Sequence, residues 1–230
     1  MLFRQLFDYE TCTYSYLIAD YQTREAALVD SVIEQSDRDL LLIKELGLKL
    51  VYALETHIHA DHITGANRLR ELTGCLGVVP KGAEVNCADR FLEDGEVLRL
   101  GQITIEAIAT PGHTDSHLAY LVNRTHLLTG DSLLIRGCGR TDFQSGDGGT
   151  LYGVVTDRLF HLPDETLVYP GHDYRGQTVS TIGEEKAFNP RFKGRTKAEF
   201  IDYMASLNLP DPKKIAEAVP ANLQCGKVSA

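Results

Sequence analysis

His57-Ile58-His59-Ala60-Asp61-His62 places three imidazoles and a carboxylate within six residues, directly downstream of the apolar run Leu50-Val51-Tyr52-Ala53-Leu54. Neutral imidazole and carboxylate are both usual ligands of divalent metals, so the stretch reads as a metal site. Ala66, Leu69 and Leu72 then recur at helical spacing and stop at Gly74, which predicts a helix. The motif therefore lies on a strand-to-helix loop. Loops at the carboxyl ends of strands are where α/β scaffolds hold ligands, because rigid elements on both sides fix the side chains.

The same design recurs downstream. A segment over 102–109, with Ile103, Ile105 and Ala107 alternating in strand period, ends in Thr110-Pro111-Gly112-His113. A further strand is expected over 118–122. His126-Leu127-Leu128-Thr129-Gly130 ends in Asp131, and Thr166-Leu167-Val168-Tyr169-Pro170-Gly171 ends in His172. Each apolar run closes on a candidate ligand, usually after a Gly or Pro that permits a sharp turn. With His113, Asp131 and His172 added to His57, His59, Asp61 and His62, the candidates outnumber the roughly four ligands of one structural zinc. Either two metals bind, or some of these residues only support the others. His117, His126 and His161 lack such placement and are read as structural. Asp115 stands near His113, where it would either orient the imidazole or close a turn.

The rest of the chain is ordinary. Strands are expected over 13–19, with Tyr14, Tyr16 and Ile18 alternating, over 26–29 ending at Asp30, over 48–54, and in short runs at 77–80 and 97–100. A helix over 34–46 is closed by Gly47. Its Leu40-Leu41-Leu42-Ile43 run is apolar on too many sides for an exposed helix, which predicts packing against a sheet. Near the end, Thr196 and Glu199 stand in capping-box spacing, and Phe200, Ile201, Met204 and Leu207 form a helix face before Pro210.

No linker, repeat or low-complexity tract divides the 230 residues, so a single catalytic domain over 1–230 is expected. The composition, 43% hydrophobic and 24% charged, is that of a globular protein with a substantial core. A net charge of −9 argues against nucleic-acid or anionic-membrane partners, which demand a basic patch. There is no apolar run of membrane-spanning length, and the residues from Met1 to Glu10 lack the apolar core of a signal peptide, so a cytoplasmic location is expected. The five cysteines, Cys12, Cys75, Cys87, Cys138 and Cys225, show neither an even count nor a C-x-x-C spacing. They predict no disulfide and a reducing compartment. A homodimer is expected on base rate alone.

The set H-x-H-x-D-H, T-P-G-H-T, T-G-D and P-G-H, spread from about Lys49 to His172, resembles the metallo-β-lactamase superfamily. The resemblance implies an α/β fold, an αββα sandwich of two mixed sheets flanked by helices with the metal at one edge. That fold hosts many chemistries. The discriminating stretch runs from Leu133 to Gln144 and contains Gly137-Cys138-Gly139-Arg140-Thr141-Asp142-Phe143; with Gly171-His172-Asp173-Tyr174 it resembles the persulfide dioxygenase branch. Phe3-Arg4-Gln5-Leu6 and Asn189-Pro190-Arg191 extend the likeness over nearly the whole chain, in the form without a rhodanese domain. Glyoxalase II shares Gly-Cys-Gly-Arg but is expected to continue Phe-Phe-Glu-Gly-Thr, from which this chain departs.

The resemblance implies one Fe(II) per chain, held by His57, His113 and Asp131 as a 2-His-1-carboxylate set with open positions. It further implies glutathione persulfide and O2 as substrates, and sulfite and glutathione as products, a step of sulfide oxidation. His59, Asp61, His62 and His172 then orient ligands, donate hydrogen bonds or move protons. Arg140 is the candidate grip on a glutathione carboxylate, and Tyr174 the candidate hydroxyl near the reacting sulfur or oxygen. The alternative is a glutathione thioester hydrolase with two Zn ions sharing Asp131, which the same seven side chains permit. A non-catalytic metal- or thiol-binding protein would require an altered ligand, and none is altered.

Overall fold

The computed structural model describes residues 1–212 and 214–227. Their strands form two mixed six-stranded sheets flanked by helices, the fold class expected from the motifs. In the first sheet β1 (Leu2–Phe7), β2 (Tyr14–Ala19), β3 (Glu25–Val29), β4 (Lys49–Leu54), β5 (Leu76–Pro80) and β6 (Arg90–Leu92) lie in sequence order. The pairs β1/β2 and β2/β3 are antiparallel, whereas β3 to β6 run parallel. Parallel neighbours need long crossovers, which hold α1 (Ser36–Glu45) between β3 and β4 and α2 (Ala66–Thr73) between β4 and β5.

The second sheet contains β7 (Val97–Leu100), β8 (Ile103–Ala109), β9 (Leu118–Val122), β10 (His126–Gly130), β11 (Leu167–Pro170) and β12 (Ser180–Thr181), ordered β12-β11-β10-β9-β8-β7. β10 and β11 pair in parallel, with α3 (Gly148–Asp157) in their crossover, while β9/β10 and β11/β12 are antiparallel. The chain continues through α4 (Ile182–Phe188), α5 (Lys197–Ala205) and α6 (Ile215–Asn222). It divides into two compact units: Met1–Leu92 with Leu98–Ile105 and the segment from Asp211, and Glu93–Val97 with Glu106–Pro210.

In the first unit Leu17, Leu28, Leu50, Ala53 and Leu69 form a core with Ile43 of α1. The four-residue apolar run of α1 is not enclosed as expected: Ile43 is buried and Leu40 and Leu42 pack partly, but Leu41 faces solvent. One turn of helix cannot aim four successive side chains at one surface. In α2, likewise, Ala66 and Leu69 are buried while Leu72 is exposed, and Gly74 closes the helix in the left-handed region at φ 72°. The cysteine expectation is also corrected, because Cys87 and Cys225 form a disulfide. The two lie 138 residues apart, so spacing carries no sign of the pairing.

The second unit buries Leu127, Leu133, Leu151, Val155 and Phe200. The capping box at Thr196 and Glu199 is present, with each side chain bonded to the other's backbone N–H. Phe200 and Met204, four residues apart, face the core, while Ile201, one step around the helix, turns outward.

Candidate metal centre

The loop after β4 carries the opening motif, and its histidines are fixed one nitrogen at a time. Thr56 donates both its backbone N–H and its hydroxyl to the Asp30 carboxylate, at 2.7 and 2.9 Å. With its proton so committed, the Thr56 oxygen accepts from His57 Nδ1 at 2.9 Å. His57 therefore carries its proton on Nδ1 and its lone pair on Nε2, the tautomer a metal ligand needs. His62 is set the same way, with Nδ1 2.9 Å from Asp61 Oδ2 and a buried Nε2 that has no hydrogen-bond partner. His59 differs. Its Nε2 lies 3.2 Å from both Asp30 and Glu55. Burial alone would push this imidazole down, but the carboxylates of Asp30 and Glu55 more than offset it and raise it to about 10. Within this unit two groups of donor atoms converge, His59 with Asp61 and His62, and Asp30 with Glu55 and His59.

The second unit brings together His113, Asp131 and His172, from the ends of β8, β10 and β11. His113 Nδ1 donates to the Arg140 carbonyl at 2.7 Å, which leaves its lone pair on Nε2. That nitrogen stands 3.6 Å from Asp131 Oδ2. For a neutral imidazole this sets a lone pair facing a carboxylate oxygen, an arrangement that a cation between them suits. His172 Nδ1 donates to the other Asp131 oxygen, at 2.7 Å. Asp131 is held by its backbone as well: its N–H donates to His117 Nε2 at 3.1 Å and its carbonyl accepts from Gly139 at 2.7 Å. His117 must then donate from Nδ1 to Thr110, 2.7 Å away, and it is a neutral, buried brace, as its structural assignment anticipates.

Asp115 does not orient His113; it is exposed, and the Arg140 carbonyl does that work. The Arg140 guanidinium forks onto both Asp142 oxygens at 2.6 and 2.7 Å, donates to the Pro210 carbonyl at 2.7 Å, and stacks 4.6 Å from the Phe143 ring centre. Tyr174 is 72% exposed, with its ring stacked parallel to that of His172. Sequence reasoning missed Asp30, Glu55, Asn222 and the brace role of His117. Asp30 alone left a sign, since it too ends an apolar run.

Cys138 is buried against Met204, and burial pushes its thiol up to about 12, with the Asp131 charge adding to the rise and Arg191 opposing it. At pH 8 the thiolate fraction is then on the order of one in ten thousand. Alkylation of the folded protein at that pH is expected to label the partly exposed Cys12 and spare Cys138, as read by peptide mass spectrometry. Equal labelling of the two would contradict the burial.

A model of the metallo-beta-lactamase superfamily matches residues 11–172. The human protein named "Persulfide dioxygenase ETHE1, mitochondrial" is 50% identical, over 98% of this chain and 89% of its own length. A probable metallo-hydrolase of Burkholderia pseudomallei is 30% identical over 96% of this chain and 92% of its own. Among solved structures, the crystal structure of ETHE1 from Myxococcus xanthus is 52% identical and superposes with a TM-score of 0.96, covering 99% of this chain and all of that one.

Proposed function

The chain belongs to the metallo-beta-lactamase superfamily and is an enzyme of its persulfide dioxygenase branch, and from that premise we propose that it oxidises glutathione persulfide at a single Fe(II) held by His57, His113 and Asp131. Support comes from the human relative, which is 50% identical over 98% of this chain and 89% of its own length. The family model spans parts of both compact units, which supports one catalytic domain over 1–230.

The side chains suit the metal. The observation that carries the assignment is the 3.6 Å approach of His113 Nε2 to Asp131 Oδ2 while His113 Nδ1 is bonded to the Arg140 carbonyl. His57 adds a second imidazole whose Nδ1 proton is already tied down. Two nitrogens and one carboxylate oxygen form a donor set characteristic of non-haem iron oxygenases. Iron bound there would supply open coordination positions and a path for electrons from the persulfide sulfur to O2. In the overall reaction both oxygen atoms join the terminal sulfur, water cleaves the sulfur–sulfur bond, and one persulfide, one O2 and one water become glutathione, sulfite and two protons.

The chain's own residues position and move protons around that reaction. His172 holds one Asp131 oxygen and leaves the other for the metal. His59, with its Nε2 between the Asp30 and Glu55 carboxylates, orients the loop that carries His57. Asp61 and His62 form a bonded pair that can hold or pass a proton through His62 Nε2. The Arg140 fork now gripping Asp142 matches the geometry a substrate carboxylate would take over, and Tyr174 stands exposed beside His172 to meet the substrate.

Iron content and substrate use separate these roles. Arg140→Ala keeps the backbone carbonyl that orients His113, so it is expected to retain iron while kcat/KM falls roughly 10-fold to 100-fold through KM. Iron loss matching that of a ligand variant would reject the assignment. Metal analysis of protein purified without added zinc tests the centre itself: about one iron per chain is expected, and two zinc ions would overturn it.

No helix among the described residues is long and apolar enough to cross a membrane. A cytoplasmic location stays a proposal: three relatives carry mitochondrial names, and the Cys87–Cys225 bond is unusual in a reducing compartment. The homodimer is likewise proposed on base rate.

A further inference from the structure

Asn222, buried on α6, spends its side chain on the motif loop. Its Oδ1 accepts from the Thr64 N–H at 2.9 Å, and its Nδ2 donates to the carbonyls of His59 and His62, both at 2.8 Å. The Cys225 carbonyl accepts from the Asn67 N–H at 3.1 Å. Gly226 lies so close that an added Cβ would collide with the Thr64 carbonyl oxygen. The backbone from His59 to Asn67 thus takes its shape from a segment about 160 residues later. That segment is fastened by one covalent bond, Cys87–Cys225, and Cys225 packs with Val79, Val85 and Ile58, the residue directly after the proposed ligand His57.

We propose that the Cys87–Cys225 disulfide is a redox clamp on the metal-ligand loop. Oxidised, it holds Asn222 against the His59 and His62 carbonyls. A low-molecular-weight thiol of the glutathione class opens it in two exchanges. The first thiolate attacks the sulfur of the partly exposed Cys87 and expels Cys225 as a thiolate; a second thiol attacks the mixed disulfide and frees Cys87. Two thiols are oxidised to one disulfide, and the protein gains two electrons and two protons. The released segment then holds the loop less tightly, and the metal leaves faster. Glutathione, a product of the proposed reaction, belongs to this class of reductant. The inference rests on the reading of His57 as a ligand and not on the oxygen chemistry.

The test uses the full iron-loaded chain in three forms: oxidised, reduced with glutathione, and carrying Cys87→Ser without reductant. Iron loss to a chelator and hydrogen exchange at residues 57–67 are both measured. Reduction and Cys87→Ser are each expected to speed iron loss roughly 10-fold and to speed exchange at the Thr64 and Asn67 N–H groups, which donate to the clamped segment. Asn222→Ala should show the same behaviour while still oxidised, with little further change on reduction. Should Asn222→Ala not fold, reduction of the unmodified chain and Cys87→Ser decide alone. Iron loss and exchange unchanged in both would overturn the clamp. A chain that binds no iron in any form would instead refute the metal reading, and exchange would still decide the clamp.

Discussion

Asp131→Ala is expected to leave a folded protein with almost no bound iron and a turnover lower by roughly three orders of magnitude or more. The side chain does two jobs. One oxygen faces the His113 lone pair at 3.6 Å, and the other accepts from His172 at 2.7 Å, so its loss removes a proposed ligand and unmoors a second imidazole. His172→Ala removes only the support and should cost about 10-fold to 100-fold in metal affinity. The comparison is made by iron analysis with parallel rate measurements. Full iron content in Asp131→Ala would show that the carboxylate is not a ligand.

Gly139→Ala is expected to damage the same centre by steric contact alone. An added Cβ at Gly139 would stand 2.6 Å from the Asp131 carbonyl oxygen and 2.7 Å from His113 Nδ1, so it presses on two proposed ligands at once. Neither can yield cheaply, because the first accepts from the Gly139 N–H and the second is bonded to the Arg140 carbonyl. Overpacking of this kind costs about 1–3 kcal/mol. For a chain of this length that lowers Tm by roughly 2–12 °C, with iron retention falling alongside. Gly137→Ala is the control: its Cβ would meet only the Leu134 side chain at an ordinary 3.6 Å and should change neither quantity. Equal behaviour of the two alanines in thermal melts would remove the steric account.

The centre was readable because its chemistry is concentrated at strand ends. Apolar runs before His57, His113, Asp131 and His172 all became strands, and each ligand candidate lies in the loop that follows. What escaped was either short or distant. β1 reads as surface, with Arg4 and Gln5 amid its apolar residues, since it is an edge strand bonded to β2 alone. α3 opens on Gly148-Gly149, which reads as loop until the Asp147 side chain is seen capping Thr150. α6 carries Pro220 inside it and matters through Asn222, whose partners are about 160 residues earlier. Histidine tautomers were also beyond sequence, because each depends on one neighbour such as Thr56 or the Arg140 carbonyl. Arg140 was picked out as the grip on a glutathione carboxylate; that its fork meets Asp142, two residues away, only the structure shows.

Oxygen uptake by the purified iron-loaded chain, on addition of glutathione persulfide, tests the central claim most directly. One O2 consumed for each sulfite formed, with uptake lost in Asp131→Ala, is the expected result. Hydrolysis of a glutathione thioester at full rate under argon, with no oxygen consumed on persulfide, would contradict it.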